Sequence, residues 1–155
     1  MSQYILKSRD IESLPEAKNI HQFNDRAIRN TKSLGDLVGL TSVGFHLVRV
    51  EPGDETTQHH NHEFSDEFIY VLSGNGALSI GEETIEIEVG DFAGFPMNGP
   101  AHSMTNTGEE DLVYLMGGGR PDIDICNYPK IDRRMYIVKG QKEYVDLRDL
   151  GYVTK

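Results

Sequence analysis

The chain has 155 residues, 37% hydrophobic and 26% charged, which suits one folded domain with a sizeable core. Its net charge of −10 repels phosphate backbones and argues against a nucleic-acid partner. Cys126 is the only cysteine, so an intrachain disulfide is excluded, as suits a reducing compartment.

The first residues, MSQYILKSRDIESLPEAK, contain no long apolar run and no small-residue cleavage site. The expectation is a cytoplasmic chain with no membrane partner. Tyr4-Ile5-Leu6 reads as a short strand, and Asp10 to Ala17 as a turn around Pro15. Asn24 to Lys32 is charged and reads as a helical turn, followed by loop at Leu34-Gly35 and Val38-Gly39. Residues 1–41 are therefore expected to cover a barrel or pad a dimer contact.

Ser42 to Glu51 is apolar at nearly every position, which predicts a strand buried on both faces. Glu67 to Leu72 is the clearest strand. A two-residue period puts Glu67, Ile69 and Val71 on one face and Phe68, Tyr70 and Leu72 on the other. Glu67 is the one acid on these apolar faces, and a buried unpaired carboxylate is costly, so it needs a partner. Ala77 to Ile80 and Thr84 to Val89 form a hairpin. Its second arm alternates, with Ile85, Ile87 and Val89 on the covered side. Phe92 to Phe95, Ala101 to Asn106 and Leu112 to Met116 follow as strands. Asp122 to Cys126 and Tyr136 to Val138 are weaker strand candidates. The polar tail from Lys139 reads as cover or a short helix. Short strands punctuated by Gly and Pro predict an all-β sandwich or barrel.

His60 and His62 are two residues apart and share a face if the segment is extended. Glu67 opens the next strand, and His102 follows a later Gly-Pro turn. Three imidazoles and a carboxylate suit Mn, Fe, Co, Ni or Zn, and leave room for a substrate's oxygens. The spacing around these residues resembles the two motifs of the cupin superfamily. The first runs Gly53, His60-x-His62, Glu67, Gly74; the second runs Gly90, Pro96, Gly99, His102, Asn106. Each is one residue longer than the usual form, before His60 and between Pro96 and Gly99, where turns absorb insertions. His59 has the standard spacing from Gly53, but Asn61 stands where its partner should be.

The resemblance covers about Ser42 to Gly117. It implies a double-stranded β-helix, or jelly roll, and a single cupin domain with its core at about 42–117. Residues 118–155, like residues 1–41, are then cover or dimer segments. By match, the metal ligands are His60, His62, Glu67 and His102. The metal would be one divalent transition ion: Zn, Mn, Fe or Ni. Leu34-Gly35, Gly39-Leu40 and Asn127-Tyr128-Pro129 are similar to a small single-domain group commonly labelled sugar-phosphate isomerases.

Other features read as structural. Gly117-Gly118-Gly119-Arg120 is a strand end with a surface arginine rather than an anion site. Lys130, Arg133 and Arg134 are solvated charge. His21 and His46 are structural, with a second role near the metal conceivable for His46. Tyr70, Tyr114 and Met104 belong to the core, and Asn106 holds a turn. No general base can be named. The function expected is a metal-dependent enzyme on a small oxygen-rich substrate, most concretely a sugar-phosphate isomerase. An Fe-dependent dioxygenase and a non-catalytic binding module are the alternatives. A homodimer is expected, because the two-sided apolar strands need cover.

Overall fold

Runs of β-branched and aromatic residues, separated by turn glycines, build almost the whole chain as antiparallel strands. The computed structural model describes residues 4–151. In chain order these are helix α1 (Ser8–Ser13), strands β1 (Ala17–His21) and β2 (Asn24–Lys32), helix α2 (Leu34–Leu37) and β3 (Val43–Val50). Strands β4 (Asn61–His62), β5 (Glu67–Ser73), β6 (Gly76–Ile80), β7 (Glu83–Ile87) and β8 (Phe92–Phe95) follow. The last are β9 (His102–Thr105), β10 (Leu112–Gly119), β11 (Ile123–Tyr128), β12 (Arg133–Val138) and β13 (Gln141–Asp146).

One wall is a six-stranded sheet ordered β1-β2-β3-β10-β5-β8. The facing wall has two parts, β13-β12-β11-β4 and β7-β6-β9. Among the described residues, a single antiparallel bridge between His60 and His102 joins those parts. Both of its backbone hydrogen bonds form, His60 N to His102 O at 3.1 Å and His102 N to His60 O at 2.7 Å. The two walls make the double-stranded β-helix. Among the described residues no helix is long and apolar enough to cross a membrane.

The core lies between the walls. Val48, Val50, Ile69, Val71, Leu78, Ile87, Phe95, Met104, Leu112 and Tyr114 are all buried there. On β5 the inward set is Glu67, Ile69 and Val71, as the two-residue period requires, while Tyr70 and Leu72 are exposed. A second, smaller cluster of Cys126, Tyr128 and Met135 sits under β11 and β12. Gly74 ends β5 with φ at +77°, and a Cβ there would meet the Asp111 carbonyl at 2.5 Å. That explains a glycine between these two strands. Asn106, fully buried, donates to the Val50 and Glu110 carbonyls and accepts from the Gly108 amide, so it does hold the turn.

Several local readings are corrected. Asn24–Lys32 is a strand and not a helical turn, because it pairs with both β1 and β3. Tyr4 to Leu6 form no strand, and Ser8–Ser13 and Leu34–Leu37 are short helices. Gln141–Asp146 is a strand paired along its length with β12. Along Thr84 to Val89 the hairpin arm is more exposed than expected, with only Ile87 buried. Pairing with neighbouring strands decided β2 and β13, and the composition of each segment alone does not show it.

Leu112 is completely buried between β3 and β5 through β10. Leu112→Ala is expected to cost about 2–5 kcal/mol through lost transfer energy and a residual cavity. Urea denaturation measures it, and a change under about 1 kcal/mol would mean this part of the core collapses freely around the truncation.

Candidate metal centre

The four residues singled out by spacing come from both walls. His60 and His62 lie at β4, His102 opens β9, and Glu67 opens β5 on the opposite sheet. His102 Nε2 is 3.1 Å from Glu67 Oε2, His60 Nε2 is 3.4 Å from the same oxygen, and His62 Nε2 is 3.5 Å from Glu67 Oε1. The ligand atoms of His60, Glu67 and His102 lie within 4.8 Å of one another and could hold a metal ion. His59 points elsewhere, with its Nδ1 3.0 Å from the Ser103 hydroxyl.

The backs of the rings are held from outside the cluster. His60 Nδ1 is 2.9 Å from the Gln58 carbonyl, and His62 Nδ1 is 2.6 Å from Asp124 Oδ2. Both partners are acceptors, so each Nδ1 carries the proton and each neutral ring turns a bare Nε2 lone pair inward. Those lone pairs face a carboxylate, which is also an acceptor. Such an arrangement is repulsive unless a cation sits among them. A proton on His60 Nε2 is a poor substitute, because burial lowers the pKa of that ring. The donor set therefore fits a divalent transition metal.

Two further features tighten the cluster. The His102 ring stacks on Phe95, with centroids 3.7 Å apart and planes 4° from parallel. Phe95 is the register partner of Glu67 on β8, so one strand pair positions both side chains. His102 Nδ1 is buried and has no partner among the described residues, so nothing outside fixes that ring's tautomer. Burial would raise the Glu67 pKa, but the hydrogen-bonded His102 ring and the close His60 and His62 rings outweigh it and hold the carboxyl well below its usual range.

The cluster opens into a cavity of about 470 Å³, within the usual size for small-molecule sites. The lining reaches beyond the stretch from 42 to 117. It includes His21 and Arg29 from β1 and β2, Cys126 and Tyr128 from β11, and Lys142 and Tyr144 from β13. His21 is thus at the cavity wall. Tyr114 and Met104 are core residues that also line it, whereas Tyr70 lies on the outside. His46 bonds Ser33 and does not line the cavity. Arg120 is paired with Asp36 at 2.6 Å, Arg133 lies over the Phe23 ring, and Arg134 donates to Asn127.

Asp124, Cys126 and Tyr128 were not singled out by their spacing. Along β11 burial alternates, with these three inside and Ile123, Ile125 and Asn127 more exposed. Asp124 is thus the one charged residue on the inward face, while both isoleucines lie on the other, where an ordinary amphipathic strand would put polar side chains. Cys126 lies in a second possible metal group with His60 and His62. Burial pushes its thiol up to about 12.

His21 and His59 are both held near a pKa of 4, mainly by burial, against an ordinary 6.5. The unfolded chain therefore takes up protons first. The stability these neutral rings contribute is full above pH 6.5 and declines as pH falls toward about 4. Denaturation with chelator present should show stability falling from pH 7 to about 5, before carboxylates titrate. A flat profile there would contradict the buried neutral rings.

The Cupin domain family matches residues 46–118. A solved structure from Acidithiobacillus ferrooxidans, named "Putative sugar phosphate isomerase", is 39% identical, with TM-score 0.94 over 99% of this chain and 98% of that one. A cupin-superfamily sugar phosphate isomerase structure from Silicibacter pomeroyi is 24% identical, with TM-score 0.82 over 96% of both chains, and shares the fold. The "Oxalate-binding protein" of Thermotoga maritima is 34% identical over 71 residues, 46% of this chain and 57% of its own. This chain spans about half the length of the curated relatives it matches. Motif, fold and relatives agree: the chain belongs to the cupin superfamily.

Proposed function

We propose that this chain is a metal-dependent enzyme on a small oxygen-rich substrate, acting as a sugar-phosphate isomerase. The observation that carries this reading is the convergence of three imidazoles and Glu67 at the wall of a cavity of about 470 Å³. His60, His62, Glu67 and His102 would hold one divalent transition metal. When bound, it supplies Lewis acidity toward carbonyl and hydroxyl oxygens. The chain's own groups orient the substrate. His21 Nδ1 accepts from the Phe23 amide, so its neutral ring carries the proton on Nε2 and serves as a donor. The 39% identical relative named for this activity supports the reading.

The test is to load the protein with Mn, Zn, Ni or Fe and offer aldose and ketose phosphates in D₂O. Interconversion, or solvent deuterium entering next to the carbonyl, is expected. A metal-loaded protein that produces neither with any phosphate would sink the isomerase reading. Oxygen uptake by the iron form alone would point instead to a dioxygenase.

A second reading, a non-catalytic binding module, has one observation in its favour. Glu67 is the only carboxylate lining the cavity among the described residues, and it belongs to the metal cluster. No second carboxylate lines the cavity to move a proton. The Thermotoga relative is named for binding oxalate. Tight binding without turnover under every metal would favour this module.

The chain is also proposed to form a homodimer. Tyr70 and Phe92 are register partners on β5 and β8, and both are exposed, with Leu72 beside them. Such an apolar outer patch suits a second copy. Light scattering at micromolar concentration should give twice the 17.4 kDa chain mass.

A further inference from the structure

Arg29 sits on β2 on the same side as Ala27, and both line the cavity. An inward position on a core strand ordinarily takes an apolar side chain. A guanidinium there has five donors to satisfy. The hydrogen bond its guanidinium makes is Nη1 to Met116 Sδ at 3.5 Å, and a thioether is a weak acceptor. Arg26, Arg49, Arg120, Arg133 and Arg148 each lie within 4.0 Å of a carboxylate. Arg29 is in no such pair, and neither is Lys142, which lines the same cavity from the exposed strand β13. Glu67 is therefore not the counter-ion of either cation.

A half-buried cation without an anion is costly, and a cavity-lining one is a place for an incoming anion. The charges agree. The lining carries Arg29, Lys142 and Glu67, with Asp124 behind His62. A bound divalent metal would leave that set with a net charge of about +2 inside a chain of −10. This positive well would draw an anion that the outer surface repels. His21 lies near both cations, which together with burial keep its ring neutral. As a neutral donor it adds a hydrogen bond without a competing charge.

We propose that Arg29 and Lys142 form an anion subsite in the cavity, holding a phosphate or carboxylate group of the substrate while its oxygens face the His60–His62–Glu67–His102 cluster. This rests on reading the cavity as the substrate site. It narrows the substrate to a small polyoxygenated anion and gives the N- and C-terminal strands a binding role. Arg29 is the orienting anchor, because its planar fork matches two oxygens of either anion. Lys142, exposed at β13, contributes charge.

The test is calorimetry on the full-length, metal-loaded protein with four probes: inorganic phosphate, ribose 5-phosphate, ribonate and neutral ribose. Wild type is expected to prefer the anions to ribose. Whether ribose 5-phosphate or ribonate binds tighter identifies which anion the subsite takes. Arg29→Met should weaken the preferred anion about tenfold or more, leave ribose unchanged and keep the metal content at the wild-type level. Arg29→Lys should recover part of the loss. Lys142→Met, at an exposed position, should weaken the anion several-fold and remains decisive if Arg29→Met fails to fold. Anion binding unchanged in Arg29→Met, or in Lys142→Met if that is the only folded variant, overturns the subsite. So does a wild-type protein that holds metal yet binds none of the anions. A wild type without metal that still binds phosphate through Arg29 sinks the metal reading alone.

Discussion

A His60→Ala, His102→Ala double variant is expected to retain no metal where the wild type holds one equivalent, and to lose all metal-dependent turnover. The two residues face each other across the only bridge that joins the halves of one wall among the described residues. Their backbone bonds do not depend on the imidazoles, so the fold should survive the substitution. Removing both rings leaves His62 and Glu67, too few donors to hold a transition ion against buffer. Metal analysis by mass spectrometry on untagged protein reads the result. His59→Ala is the control, because His59 bonds Ser103 outside the cluster. It should keep its metal. A double variant that retains a full equivalent would move the site elsewhere, with the His60–His62–Cys126 group the first place to look.

Asp124→Ala is expected to lower metal affinity about 10–100-fold without touching a ligand. Asp124 is buried, and its carboxylate accepts from the Phe64 and Ile125 amides as well as from His62. Without it, His62 is free to carry its proton on Nε2 and turn a donor toward Glu67. The same truncation strips the Phe64 amide of its acceptor, which should cost about 1–3 kcal/mol. Asp124→Asn separates the two effects. It can still accept from the amides through its carbonyl oxygen, but it loses the charge that favours His62 Nδ1–H. Isothermal titration with Zn, beside urea denaturation, would resolve them. Unchanged metal affinity in both variants would mean that Asp124 only supports the loop.

The two glycine-framed motifs were legible in the sequence for a local reason. His60 and His62 share a face because strands repeat every two residues, and Glu67 faces inward with Ile69 and Val71 by the same rule. The glycines and prolines between strands marked turns whose geometry few other residues adopt. The convergence of the four side chains is a different matter. It required β4 and β9 to meet at one bridge and β5 to face them from the opposite sheet.

What the sequence by itself determined is therefore the family, the strand-rich core between Val43 and Gly119, and the four residues that converge on one point. Tertiary structure decided the rest of the cavity. Arg29 lies in a charged stretch with no apolar alternation, and only pairing with β1 and β3 made it a strand with Arg29 facing in. Asp124, Cys126 and Tyr128 face inward while Ile123 is exposed, because β11 pairs with the His62 strand in that register. Lys142 reaches the cavity from a tail that composition marks only as polar. In each case a one-residue slip would exchange the faces, and the register is set by pairing with neighbouring strands. The four clustered residues could be picked out from local spacing, whereas the rest of the cavity wall exists only once the strands are joined.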